Sequence, residues 1–194
     1  ASSTLNLTGA TAISAVNDNP VSTPTISQNV GQIAFTGPAG TPQFLQVESP
    51  VSVNGLSAVG LLLNAGIAQV PAGVDDGGLV KAGGGLLVMG GTGVTTTFGS
   101  PATPTEVFNI QSGFVRVQDR NDILGSNNAI TTVQDGAVLL FNGLTVDGSL
   151  QLKDGSAIGV TTNSTTLGAV GSAGTVNVPG GATASVHLRD YFIP

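Results

Sequence analysis

Short stretches in which apolar and small polar residues alternate run the length of the chain: "STLNLTG", "VSVNGL", "GGLLVMGG", "FVRVQD", "AVLLFNG", "LTVDGSLQLKDGSA" and "TVNVPGG". Strict alternation sends successive side chains to opposite faces of an extended backbone, so each stretch predicts a half-buried strand. Gly, Asn-Gly or Asp-Gly cuts one stretch from the next, and these residues take the backbone conformations that turns require. No stretch keeps apolar residues at helical spacing beyond two turns, and Glu, Lys and Arg, which favour helices, are scarce. The pattern predicts an all-β fold.

A larger unit repeats above this alternation. The form apolar-x-x-Gly-x-apolar occurs at Ile110–Gly113–Val115, Val133–Gly136–Val138 and Leu152–Gly155–Ala157, with a looser copy at Val178–Gly181–Thr183. Successive copies are 23, 19 and 26 residues apart. A period of this size suits a solenoid in which every turn gives strands to parallel sheets. In such a unit the apolar residue before the Gly points inward, the Gly turns the corner, and the apolar residue after it points inward again. The expected fold is therefore a parallel β-helix (β-solenoid), a single domain over 1–194. The alternative is an antiparallel β-sandwich, with Asn142-Gly143, Asp147-Gly148 and Asp154-Gly155 closing hairpins. Residues 16–50, with Pro20, Pro24, Pro38, Pro42 and Pro50, and residues 99–106 are expected to be irregular insertions.

Composition narrows the function. The 194 residues include 29 Gly, no Cys and only 8% charged residues, with 11 Asp plus Glu against 5 Lys plus Arg. Scattered Lys81, Arg116, Arg120, Lys153 and Arg189 cannot form the basic patch that neutralises phosphates, which sets nucleic acid aside. Without Cys there is no disulfide framework, thiol catalysis or zinc-thiolate site. The apolar run from Gly55 to Val74 is interrupted by Ser57, Asn64, Gln69 and Pro71, so it reads as buried strands and no membrane span is expected. The chain shows no initiating Met or signal peptide, and reads as mature or excised material.

Candidate chemistry is sparse. His187, in "SVHLRDYF", could be drawn with Asp190 and a serine as a triad, yet no G-x-S-x-G elbow accompanies it. Asp75-Asp76, Asp119, Asp122, Asp147 and Asp154 could offer oxygens to Ca²⁺, but a β-solenoid calcium motif G-G-x-G-x-D is absent and Asp beside Gly is a common turn pair. No catalytic residue, metal site or cofactor is expected. A polysaccharide-degrading β-helix enzyme would need convergent carboxylates or bases and aromatic platforms, for which one Tyr and seven Phe are poor material.

Residues 77–91, "GGLVKAGGGLLVMGG", resemble the autotransporter-associated β-strand repeat of bacterial passenger domains, G-G-L-x-K-x-G-x-G-x-L-x-L-x-G. Gly77, Gly78, Leu79, Lys81, Gly83, Gly85, Leu86, Leu87 and Gly90 carry the likeness, with Met89 near a usual apolar position. "VFNIQSGFVRV" (107–117) is similar to the strand pair that follows in the family, and "DILGSNNAITTVQDGAVLLFNG" to the segment that closes the unit. The resemblance covers residues 77–158. It implies a secreted, surface-displayed β-helix serving as stalk, adhesin or filament. The chain departs from the family in being too short for a β-barrel translocator, and in lacking the Tyr between the two halves, where Phe98 is the available aromatic.

A stack of strands ends in unpaired edges that invite another chain unless blunted, and neither end of the sequence supplies a charged or helical cap. The expectation is a secreted structural protein, extracellular or on the cell surface, whose copies join head to tail. Its assembly contacts are expected at Leu5 and Leu7 and at the apolar tail Tyr191, Phe192 and Ile193. The alternative is a segment of an adhesin stalk whose partner is a host or matrix glycan.

Overall fold

The computed structural model describes residues 4–9, 11–19, 21–37, 41–50, 52–53, 56–68, 78–91, 105–125, 129–141, 145–146, 149–160, 169–170, 176–177 and 185–188. Among these, the strands β1 (Thr4–Leu7), β3 (Thr25–Phe35), β7 (Val59–Ala68), β9 (Leu86–Met89), β11 (Phe114–Val117), β13 (Val138–Phe141), β16 (Ala157–Val160) and β19 (Ser185–Leu188) form one sheet, in that order. A second sheet holds β2 (Thr11–Val16), β4 (Gln43–Glu48), β8 (Leu79–Ala82), β10 (Thr105–Ile110), β12 (Ala129–Val133), β15 (Ser149–Leu152) and β18 (Val176–Asn177), again in chain order. Two small sheets complete the set: β5 (Ser52–Val53) antiparallel to β6 (Leu56–Ser57), and β14 (Thr145–Val146) parallel to β17 (Ala169–Val170). A 3₁₀ turn spans Asn121–Leu124.

All pairs within the two large sheets are parallel. Parallel neighbours cannot be joined by a tight hairpin and need a crossover. Here the crossover between two strands of one sheet includes a strand of the other, so the chain alternates between the sheets. The fold is all-β with parallel strands in two sheets, an arrangement compatible with a β-helix and not with an antiparallel sandwich. Asp154-Gly155 accordingly closes no hairpin: it joins β15 in one sheet to β16 in the other.

The main core lies between the sheets. Leu61, Leu63, Leu87, Met89, Val115, Val117, Leu139 and Phe141 from the first meet Leu45, Val47, Leu79, Phe108, Ile110, Val133, Leu150 and Leu152 from the second. Ile110, Val133 and Leu152 are register partners, as the repeat unit requires. The glycine that follows each of them, Gly113, Gly136 and Gly155, adopts φ of 69°, 71° and 73°, the left-handed region that a residue with a Cβ enters at a cost.

The second half of the unit differs from expectation. Val115 points into the main core, but Val138 and Ala157 do not; they join Leu86, Val88 and Leu140 in a separate apolar cluster on the opposite face of the first sheet. The reason is one extra corner residue. Gly113 is followed at once by Phe114, whereas Ala137 and Ser156 intervene before Val138 and Ala157, and the register pairs Phe114 with Val138 and Val138 with Ala157. A shift of one residue exchanges the two faces of a strand. β9 (LLVM) and β13 (VLLF) are therefore buried on both faces, as continuous apolar runs in parallel sheets are.

Residues 16–50 are not an excursion, since they contribute β3 and β4. Pro24 and Pro42 stand just before these strands and Pro50 just after β4, where a missing N–H breaks no ladder. Of 99–106, residues 105–106 open β10 and the others lie outside the described residues.

Candidate functional site: the Lys81 corner and the first limit of the sheets

Parity within β8 fixes the first feature. Leu79 is fully buried, so Lys81, two residues on, enters the same core and is itself 0% exposed. Its aliphatic stem replaces a hydrocarbon side chain, and its ammonium must find acceptors at the corner. Nζ donates to the carbonyl oxygen of Gly83, in its own corner, and to that of Ser112 at 2.8 Å, in the next. Ser112 Oγ donates to the same Gly83 oxygen at 3.2 Å. Lys81 thus ties two successive corners together. Desolvation lowers its pKa from 10.5 to about 8, with the nearby Glu48 carboxylate opposing that shift. Glu48, from the preceding corner, holds that of Lys81: its Oε2 accepts the Gly84 N–H at 3.0 Å, and its Oε1 accepts from Gln46 Nε2 at 2.7 Å.

A second charged group lies at the end of β11. Asp119, with φ 75°, accepts the Gly91 N–H at 2.9 Å, and Arg120 Nε pairs with Asp122 Oδ1 at 3.2 Å. Burial lowers the pKa of Arg116 and of Arg120, opposed by Asp119 and by Asp122 with Asp119 respectively. The carboxylates considered for calcium here serve corners and guanidinium groups. Among the described residues no group of three or more His, Cys, Asp or Glu could hold a metal. Asp154 sits in the turn between β15 and β16, and Asp75, Asp76, Asp147 and Asp190 lie outside the described residues. His187 occupies the register position opposite Gly159. On the outer face of the second sheet Thr132 Oγ1 donates to Glu106 Oε2 at 2.8 Å, Glu106 Oε1 accepts from Asn109 Nδ2 at 3.0 Å, and Asn109 Oδ1 accepts from Gln134 Nε2 at 3.1 Å.

Among the described residues, the first limit of the two sheets is built by β1, β2, β3 and the residues between β2 and β3. Asn17 organises that turn: buried, it donates from Nδ2 to the carbonyls of Ser22 at 2.8 Å and Val59 at 2.7 Å, and accepts the Asn19 N–H on Oδ1 at 3.0 Å. The large apolar side chains most exposed among the described residues gather here: Leu5 at 41%, Val16 at 63% and Val21 at 90%. Of the expected assembly residues, Leu5 is thus exposed at this end, and Leu7 packs partly buried against the main core. Tyr191, Phe192 and Ile193 lie outside the described residues. No helix among them is long and apolar enough to cross a membrane, and Val59–Ala68 of the Gly55–Val74 run is strand β7.

Sequence reasoning singled out neither Lys81 as a core residue nor Asn17. For Lys81 the signal was present, because it shares parity with Leu79. No protein-family model, curated protein or solved structure matches the chain.

Proposed function

We propose that the chain is the subunit of an extracellular or cell-surface filament, a parallel β-helix whose copies join head to tail with no catalytic role. The observation that carries the reading is the pair of continuous parallel sheets, whose strands at either limit of the order, β1 and β2, and β18 and β19, contain no Asp, Glu, Lys or Arg. Charged residues on an edge are a usual protection against pairing with another chain. The likeness of residues 77–158 to a repeat of secreted passenger domains, and a chain without Cys, accord with it. Joining one limit to the other is a heterologous contact, which grows into a fibre when it does not close.

Electron microscopy of the purified chain across a concentration series tests the reading. Uniform fibres with an axial repeat of one subunit are the expected result. Isolated short rods at every concentration overturn it, and glycan-binding assays for an adhesin segment follow.

A further inference from the structure

Resting on the filament reading, we infer that the edge receiving the next copy is Thr11–Val16 of β2 together with Thr25–Ser27 of β3, and that β1 stands outside it. The occupant is the β18–β19 end of a second copy of this chain.

The register separates the two candidate edges. β3 is long and irregular, and its two halves have different neighbours. Thr25–Ser27 pairs with Leu62–Asn64 of β7, and Gln32–Ala34 pairs with Gly66–Ala68. β1 lies on the second half only, Thr4–Leu7 against Gln32–Phe35. β9 continues from Val59–Leu63 of β7 and not from Gly66–Ala68. A strand laid on β1 would therefore extend a ladder that, among the described residues, runs through β1, β3 and β7 only.

Thr25–Ser27 heads a different ladder. From Ile26 the partners run through Leu63, Met89, Val117, Phe141 and Val160 to Leu188 of β19. In the second sheet the partners of Thr11 run through Phe44, Val80, Asn109, Thr132 and Gln151 to Asn177 of β18. Both ladders start on the edge named and finish on the strand pair at the other limit. A copy placed with Leu188 beside Ile26 and Asn177 beside Thr11 extends both sheets at once without changing register. Val16 and Val21, 63% and 90% exposed, flank that edge, on β2 and in the turn leading to β3. Their apolar surface and the absence of charge in β2 and residues 25–27 suit an uncharged strand pair.

The chain contains no Cys, so introduced thiols report contact between copies. Adjacent parallel strands hold register partners close enough for a disulfide. Two double variants are compared under mild oxidation: Thr11→Cys with Asn177→Cys, and Leu5→Cys with Leu188→Cys. Circular dichroism of each reduced protein checks the fold, and electron microscopy of the unmodified chain runs alongside. The expected result is covalent multimers from the first variant and monomer from the second. Cross-linking through Leu5 and Leu188 overturns this edge and leaves the filament standing, as do fibres that form while neither variant cross-links. An unmodified chain that forms no fibres removes the filament reading and the edge together. As a second readout, Val16→Lys with Val21→Lys alters exposed residues only, and is expected to raise the concentration needed for fibres at least about tenfold, the loss of about 1.4 kcal/mol per contact. Leu5→Lys leaves that concentration unchanged, and a larger effect from Leu5→Lys overturns the assignment.

Discussion

Lys81 is the register partner of Ile110, in a buried ladder whose other rungs are Leu45, Val133 and Leu152. Its stem fills the place of an aliphatic side chain while its ammonium reaches the oxygens of Gly83 and Ser112. Burying that charge has a thermodynamic signature. Its pKa falls to about 8 in the folded chain, against 10.5 for an exposed lysine. Between those values the unfolded chain holds the proton and the folded chain has released it, so stability rises with pH through this window. The gain is on the order of 2–3 kcal/mol. Lys81→Met removes the charge and keeps the volume, and Gly83 O retains Ser112 Oγ. That variant is expected to be at least as stable at pH 7 and to lose the rise. Urea denaturation from pH 7 to 10.5 checks both, and an unchanged rise in the Met variant would assign it to another group.

Gly113 and Gly136 share a backbone conformation but not their surroundings. A methyl at Gly136 meets nothing within 4 Å, whereas one at Gly113 comes within 2.6 Å of the Gly83 carbonyl oxygen and of Lys81 Nζ, and within 2.8 Å of the Gly84 carbonyl carbon. Gly136→Ala should cost about 1–2 kcal/mol, the left-handed penalty alone. Gly113→Ala should cost measurably more, because the methyl also presses on the Gly83–Gly84 backbone and on the ammonium. Equal midpoints in denaturant would show that the neighbouring corner yields to the added methyl without cost.

Asn17 satisfies two backbone groups of the turn between β2 and β3, and a third, the Val59 carbonyl, at the start of β7. Asn17→Ala leaves the Ser22 and Val59 carbonyls without that donor, at a cost of about 1–3 kcal/mol. Because this turn carries Val21, the same variant is expected to speed amide exchange across residues 17–24 more than in β9 or β13. Uniform acceleration would place the damage in global stability instead.

Thr132 is fully buried and directs its hydroxyl to Glu106. Thr132→Val keeps the shape and removes the donor, so it should destabilise by about 1–3 kcal/mol at neutral pH. Urea denaturation checks it, and a Thr132→Val variant as stable as the unmodified chain would mean that the hydroxyl contributes nothing there.

Much of this fold is legible in the alternation of the strands, because an inward parity needs only two apolar neighbours to declare itself. Ile110, Val133 and Leu152, each with a glycine after it, locate the corners before any coordinates are known. Parity across a corner is harder, since it depends on how many residues the corner consumes, and the extra residues Ala137 and Ser156 reverse the faces of Val138 and Ala157. The prolines of 16–50 signal breaks, yet three of them mark strand boundaries and not a loop. The register of β1 on the second half of β3 depends on an irregularity between Ser27 and Gln32, for which "SQNVGQ" carries no pattern. The candidate docking edge was unreadable for that reason.

The alternation of the chain between two sheets has a consequence for size. Each strand is bonded to the one before it and the one after it in its own sheet, so the residues running from one second-sheet strand through the following first-sheet strand form a removable unit. Deleting or duplicating such a unit, from Thr105 through the residues before Ala129, would join ladders that already share a register. Length in this architecture is a whole number: a lineage could lengthen or shorten the molecule by counting strand pairs while the chemistry of its two ends stayed the same.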